Sequence, residues 1–300
     1  MNIRDLIYLD ALAEHRHFGR AAEACEVSQP TLSSQIRKME EELGVKLLER
    51  TNKRVEMTPV GLRILGHARS ALHCVDSIRE QARAARDPLV GPIRLGVIPT
   101  LAPYLMPHVL KPLREAYPGL TIDLWEDQTQ ALIESLRNHK LDAALLATKS
   151  GAPEITEISL FVEPLFAALP NMHRLAKRNR IHEEDLADEL LVLAEGHCLA
   201  NQALTACGSK HGRRSGLQGS MQAATLDTLV NLVAAGYGAT LIPSLAVDSL
   251  KRRDIAVRQL AGHSSRTIRL ASRPGYPRPQ ALRALEKVIR KAVGTKCQIT

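Results

Sequence analysis

Aromatic side chains are scarce in this chain: Phe, Tyr and Trp make up 3% of the residues, and Trp125 is the single tryptophan. Any core must therefore rest on Leu, Ile, Val and Ala, which the 45% hydrophobic content supplies. No uninterrupted apolar run approaches the length of a membrane span, so none is expected. The opening MNIRDLIYLD lacks a basic stretch followed by an apolar one. No secretory signal is expected, and the predicted location is cytoplasmic, without membrane association. Cysteine is sparse, with Cys25, Cys74, Cys198, Cys207 and Cys297. Thiols stay reduced in that compartment, so a disulfide among these is expected to be transient and functional rather than structural. No CxxC or HxxxH pairing accompanies them, so neither a metal nor another cofactor is expected.

What is present suits two domains, with room for a small third unit, at 300 residues. A net charge of +8 and a pI near 9.4 favour a polyanionic partner such as nucleic acid. The charge does not mark which end binds it. Residues 1–86 hold 14 Lys+Arg and 12 Asp+Glu, only +2 of the total.

The patterning is more informative. Leu6, Leu9, Leu12 and Ala13 share a helical face within 3–15. A short helix over 18–25 follows, with Phe18, Ala21, Ala22 and Cys25 on its apolar side. Ser28 then suits an N-cap and Pro30 a first turn. Leu32, Ile36, Met39 and Leu43 repeat at 4, 3 and 4, and Gly44 is a natural stop. That stripe turns Gln29, Thr31, Ser33, Ser34, Gln35, Arg37 and Lys38 outward, a set suited to base edges and phosphates. By itself a polar face is more simply a solvated one. VKLLER and VEM, flanking the basic turn from Arg50 through Lys53 to Arg54, add a β-wing and favour a winged helix-turn-helix. Thr58-Pro59 opens a helix of about 28 residues with Leu65, Ala68, Leu72, Val75 and Ala82 on a narrow seam, interrupted by Arg79. Either a second copy or the helix's own domain would cover that seam. Gly91-Pro92 is the predicted hinge.

From residue 92 strands and helices alternate, which predicts a parallel sheet with crossover helices. Strands are expected at 93–98, 120–126, 141–147, 190–196, 239–243, 256–260 and 267–272. Helices are expected at 103–117, 128–139, 226–236 and 277–292.

The run FGRAAEACEVSQPTLSSQIRKMEEELGVKLLER, with TPVG at 58–61, resembles the N-terminal module of LysR-type transcriptional regulators. The resemblance extends over essentially the whole chain. It implies an α/β protein with a winged helix-turn-helix domain at 1–58 and a linker and dimerisation helix with its hinge at 59–89. An effector domain like a periplasmic binding protein would follow at 90–300. Its two α/β subdomains would be 92–162 plus 268–300, and 163–267, with an effector held between them. It also implies homodimers assembling to homotetramers on partly palindromic double-stranded DNA, with RNA polymerase as a further partner. The implied DNA contacts are Gln29, Pro30, Thr31, Ser33, Ser34 and Arg37, with Arg50, Lys53 and Arg54 on the backbone or minor groove.

Within that family, GHCLANQALTAC at 196–207 is similar to the redox segment of the members that sense hydrogen peroxide. The resemblance implies Cys198 as the peroxidatic cysteine and Cys207 as the resolving one. It further implies a peroxide pocket of Thr100, Thr129, His197 and Arg266. His197 and Arg266 would favour the reactive thiolate, and the two threonines would hold the peroxide. A sulfenic acid on Cys198 would condense with Cys207, which requires Cα atoms within about 7 Å and hence a refolding of 199–206. The function implied is peroxide-dependent transcription control of oxidative-stress genes, without enzymatic turnover.

Plainer readings stand beside these. A buried cysteine is usually a small inert hydrophobe, the reading favoured for Cys25 and Cys74. Cys297 lies in the tail. A family member responding to a small metabolite, a thiol peroxidase and a solute-binding protein are the rival functions.

Overall fold

A computed structural model describes residues 1–50, 55–84, 87–208, 223–250, 253–294 and 297–299. Two units emerge, 1–86 and 87–300, each around its own apolar core.

The first unit starts with α1 (Ile3–His15), α2 (Phe18–Ala24) and α3 (Gln29–Leu43). The Ser28 hydroxyl caps α3 by accepting from Thr31 N at 3.3 Å, and Gly44 ends it in the left-handed region at φ 67°. Leu32, Ile36 and Met39 are buried as expected; Leu43 is not, at 36% exposed. It sits in the last turn, beyond the reach of the core. Glu40 is buried instead, because its carboxylate accepts the Leu47 N–H at 2.8 Å and the Leu48 N–H at 3.3 Å. The strands β1 (Leu48–Arg50) and β2 (Val55–Met57) pair antiparallel, Leu48 opposite Met57. The turn between them, with Lys53 and Arg54, lies outside the described residues, as does the side chain of Arg50.

Thr58 caps α4 (Pro59–Ala84), its hydroxyl accepting from Gly61 N at 2.9 Å and donating to Lys46 O at 2.8 Å. Only the start of the expected seam is used inside this unit. Leu65 and Ala68 are buried, Leu72 and Val75 are half-buried, and Ile78 is 67% exposed.

The second unit comprises β3 (Gly91–Val97), α5 (Ala102–Ala116), β4 (Leu120–Glu126), α6 (Thr129–Arg137) and β5 (Ala143–Leu146), then β6 (Thr156–Pro170) and β7 (Arg180–Ile181). Further on come α7 (Cys198–Ala206), α8 (Leu226–Ala234), β8 (Thr240–Pro243) and α9 (Val247–Leu250). The chain closes with β9 (Ile255–Leu260), β10 (Ser265–Ser272), α10 (Pro279–Val293) and β11 (Gln298–Ile299). The main strand order is β4-β3-β5-β10-β6-β9-β7, with β8 and β11 also on β6.

The expected parallel pairing holds for β3 with β4 and with β5. It fails further along, where β10 runs antiparallel to β5 and β6, and β6 antiparallel to β8 and β9. The cause is the 15-residue β6, which alternation did not predict. Its first part pairs with β10; from Leu165 onward it pairs with β8 and β9. One strand thus threads both halves of the sheet. The strand expected at 190–196 is instead two single bridges, Leu190 to Ala239 and Leu193 to Ala223. Its end turns through Gly196, at φ 94°, into α7.

Candidate functional site

In the first unit α3 carries the candidate DNA-reading face. Burial of Leu32, Ile36 and Met39 on one side leaves Gln29, Pro30, Thr31, Ser34 and Arg37 exposed, with Ser33 half-buried. A helix held on its apolar side, with small hydroxyls and a cation opposite, can enter a major groove without unfolding.

In the second unit α7 begins at Cys198 and is capped by Cys207. Both are free thiols, Cys198 half-buried and Cys207 1% exposed. Nine residues of helix, at about 1.5 Å each, separate their Cα atoms by ~13 Å, roughly twice the span of a disulfide.

Cys198 borders a cleft of about 640 Å³, with Thr129 and Ile133 of α6, Leu165 of β6, Gln202 of α7 and Ser264 before β10. The chain reaches it by a close approach. The left-handed φ of 94° favours glycine at 196, and a Cβ there would lie 2.1 Å from Gln128 Oε1 and push that side-chain end aside. Gln128 Nε2 donates to Glu195 O at 3.4 Å, joining the start of α6 to the approach to α7. On α7 itself, Gln202 Nε2 donates to Ala147 O at 3.0 Å.

Of the four expected pocket residues, two are bonded directly. Arg266, 2% exposed, donates from Nη1 to Thr100 Oγ1 at 2.7 Å and from Nη2 to Thr100 O at 3.0 Å. Its Nε donates to Glu163 Oε2 at 2.8 Å, and Glu163 Oε1 accepts from Leu245 N at 2.9 Å. Thr129 Oγ1 is buried and makes no hydrogen bond of ordinary geometry among the described residues. Its looser contact with the Cys198 sulfur favours the thiolate.

His197 behaves otherwise than expected. Burial holds its imidazole below the ordinary range, and a bond to the Ala224 backbone only partly offsets this. The ring is neutral at neutral pH and brings no positive charge to the thiol.

Cys198 is a balance of opposed effects. Burial pushes its pKa up; the Arg266 charge, the Thr129 hydroxyl and the backbone N–H groups of Leu199 and Cys198 pull it down. Burial wins, so the resting group is a protonated thiol, and of the two residues expected to favour the thiolate only Arg266 does so. Cys207 is pushed further, to about 11, by burial and then by the Glu183 carboxylate.

Sequence reasoning missed Glu163, Gln128 and Gln202. Glu163 was legible only as a lone acid within an apolar run, and Gln128 only as the neighbour of Thr129. No group of three or more His, Cys, Asp or Glu that could hold a metal ion occurs among the described residues. No helix of the described residues is long and apolar enough to cross a membrane.

Comparisons with known proteins fit this geometry. Residues 3–62 match the model for the bacterial regulatory helix-turn-helix protein of the lysR family, and residues 86–294 match the LysR substrate binding domain. The chain is 43% identical to the DNA-binding transcriptional dual regulator OxyR of Escherichia coli K12, over 97% of this chain and 95% of that protein. It is 46% identical to the hydrogen peroxide-inducible genes activator of Dickeya chrysanthemi, over 92% and 91%. Among solved structures, a full-length cysteine-to-aspartate variant of OxyR from Pseudomonas aeruginosa superposes with a TM-score of 0.78. The two chains are 37% identical, over 97% of this chain and 95% of that one.

Proposed function

The chain belongs to the LysR family of bacterial transcriptional regulators, in its hydrogen-peroxide-sensing branch, and from that premise we propose that Cys198 and Cys207 sense the oxidant and α3 reports it to DNA. What supports this most is the placement of one half-buried thiol on the cleft and a fully buried one at the far end of the same helix.

The chemistry balances in two steps. Peroxide oxidises the Cys198 thiolate; the S–O bond forms as the O–O bond breaks, leaving a sulfenic acid, and the departing hydroxide takes up the thiol proton as water. Cys207 then attacks the sulfenic sulfur, forming the disulfide and releasing a second water. Thr129 and Thr100 hold the peroxide, and Arg266 stabilises negative charge as it develops. His197 positions the start of α7 as a neutral ring. Since ~13 Å of helix separates the two cysteines, closure requires α7 to unwind, and that two-state segment is the switch.

The DNA side follows from α3. Gln29, Thr31, Ser33, Ser34 and Arg37 meet base edges and phosphates, with Pro30 shaping the first turn. Arg50, Lys53 and Arg54 meet the backbone or minor groove. A homodimer joined through α4, paired into a tetramer, addresses a partly palindromic site and contacts RNA polymerase.

The test is non-reducing peptide mapping before and after brief low-dose peroxide, paired with footprinting of both forms. The expected result is a Cys198–Cys207 link with an altered footprint, and a Cys198→Ser protein whose footprint does not respond. A footprint that still changes in that protein overturns the redox reading; a metabolite effector in the cleft would then be the better account.

A further inference from the structure

We propose that Arg278 is a positioning residue that turns the expected hinge into a fixed joint, so that rearrangement of the second unit's sheet is carried on toward the linker helix instead of being absorbed in the connecting chain. The inference rests on the reading of this protein as a regulator whose oxidation state is reported to DNA.

The sequence predicts a swivel at Gly91-Pro92. Those residues are instead the first of β3, in parallel register with Leu120 and Thr121. Arg278 stands at the start of α10 and is 4% exposed. Its guanidinium donates from Nη1 to Pro92 O at 2.8 Å, from Nε to Pro88 O at 3.3 Å and from Nη2 to Gly91 O at 3.4 Å. One side chain thus spans the segment from end to end. The segment is also seated beside β4. Gly91 N donates to Gly119 O at 2.8 Å, and a Cβ on Gly119 would lie 3.1 Å from Leu89 O. Leu89 packs against the core of the second unit.

Arg278 makes no ion pair among the described residues; its side-chain partners are these three backbone carbonyls. Burying a cation without a carboxylate is costly, so the bonds it makes must be geometrically good. Arginine suits the task because its planar fork presents several donors in a fixed arrangement, where lysine ends in a point charge. Pro277 and Pro279 flank it, and each fixes its own φ, so the fork projects from a stiff support.

The same helix is tied to the strand that threads both halves of the sheet. Ala281, Leu285 and Ile289 bury its apolar face. About 18 Å further along, at a rise of about 1.5 Å per residue, Arg290 donates to β6, from Nη2 to Ser159 O at 2.8 Å and from Nη1 to Leu160 O. β6 continues to Leu165, which borders the cleft together with Cys198. One end of α10 therefore holds the strand that reaches the cleft, and the other holds the root of the linker. A joint fixed in this way passes a displacement on, where a swivel would dissipate it.

The test compares the full-length parent with Arg278→Gln, each reduced and after brief peroxide. Three readouts are taken: Cys198–Cys207 linkage by non-reducing peptide mapping, the DNA footprint of each form, and amide hydrogen exchange over 87–92. Arg278→Gln should form the disulfide as fast as the parent and bind DNA as the parent does when reduced, yet lose the oxidation-dependent change in footprint. Exchange at Val90 and Gly91 should rise roughly tenfold, the effect of losing bonds to a charged donor. A side chain that only adds stability would lower the melting temperature and leave the footprint change intact. That result, or unchanged exchange, overturns the proposal. Should Arg278→Gln fail to fold, Arg278→Lys decides, since it keeps the charge but not the fork. A weakened footprint change with normal disulfide formation supports the joint, and a full response overturns it. If the parent's own footprint ignores peroxide, the sensing reading falls, and the exchange measurement alone decides the joint.

Discussion

Two cysteines of one helix are held in different ways. Cys198 has a cation, a hydroxyl and a helix start working toward its thiolate; Cys207 has only burial and a nearby carboxylate, both working against it. In the proposed order of oxidation, the second thiol would therefore stay protonated while the first reacts. This asymmetry carries a stability consequence. The folded chain holds the Cys207 proton more tightly than the unfolded chain does, with a pKa of about 11 against an ordinary 9.0. Its contribution to stability is complete below pH 9 and is lost as pH rises toward 11. Melting temperature should therefore fall over that interval, and fall less in Cys207→Ser. Thermal melts followed by circular dichroism across the interval check this, and parallel curves for the two proteins would contradict it.

At the scale of elements, the proposed Cys198–Cys207 link requires α7 to be stable enough to keep the sulfurs apart and weak enough to open. Asn201 and Thr205 are exposed, and both are poorer helix formers than alanine. Asn201→Ala and Thr205→Ala should each stabilise the helix by about 0.6 kcal/mol, slowing disulfide closure by roughly threefold. The first oxidation of Cys198 should keep its rate. Rapid-quench trapping of the sulfenic acid alongside disulfide mapping separates the steps; faster closure would mean that opening of α7 is not required. The helix is also tied by Gln202 to Ala147 O and by the Gly196–Gln128 approach, so its unwinding disturbs the cleft wall directly.

For the whole molecule, the described part of α4 leaves apolar surface beyond what its own unit covers. Leu72 and Val75 are half-buried and Ile78 is exposed. A dimer through this helix would bury that seam. Leu72→Asp with Val75→Asp should yield monomers by sedimentation and weaken operator binding at least tenfold, because each monomer then meets one half-site alone. The second unit should keep its peroxide-dependent disulfide. A dimer that survives both substitutions would place the interface elsewhere.

Local patterning determined much of this protein. Ser28, Gly44 and the Leu32–Ile36–Met39 stripe specify α3 and its outward face, since caps and helical period act within a few residues. Thr58-Pro59 specifies the start of α4 for the same reason. The proposed redox pair was legible as Gly-His-Cys with a second cysteine nine positions on, by resemblance rather than by geometry. Other features needed the fold. The long β6 carries Glu163 and Pro164 where a strand pattern should be apolar, and only its partners β8, β9 and β10 make it a strand. Leu43 was exposed and Glu40 buried by where the helix ended against β1. The charge of His197 and the protonation of Cys198 turned on burial, a property of the packed chain that no spacing encodes. The pairing of Arg266 with Glu163 and Thr100 likewise arose only when distant segments met, because a buried charge acquires its field from whatever the tertiary structure sets beside it.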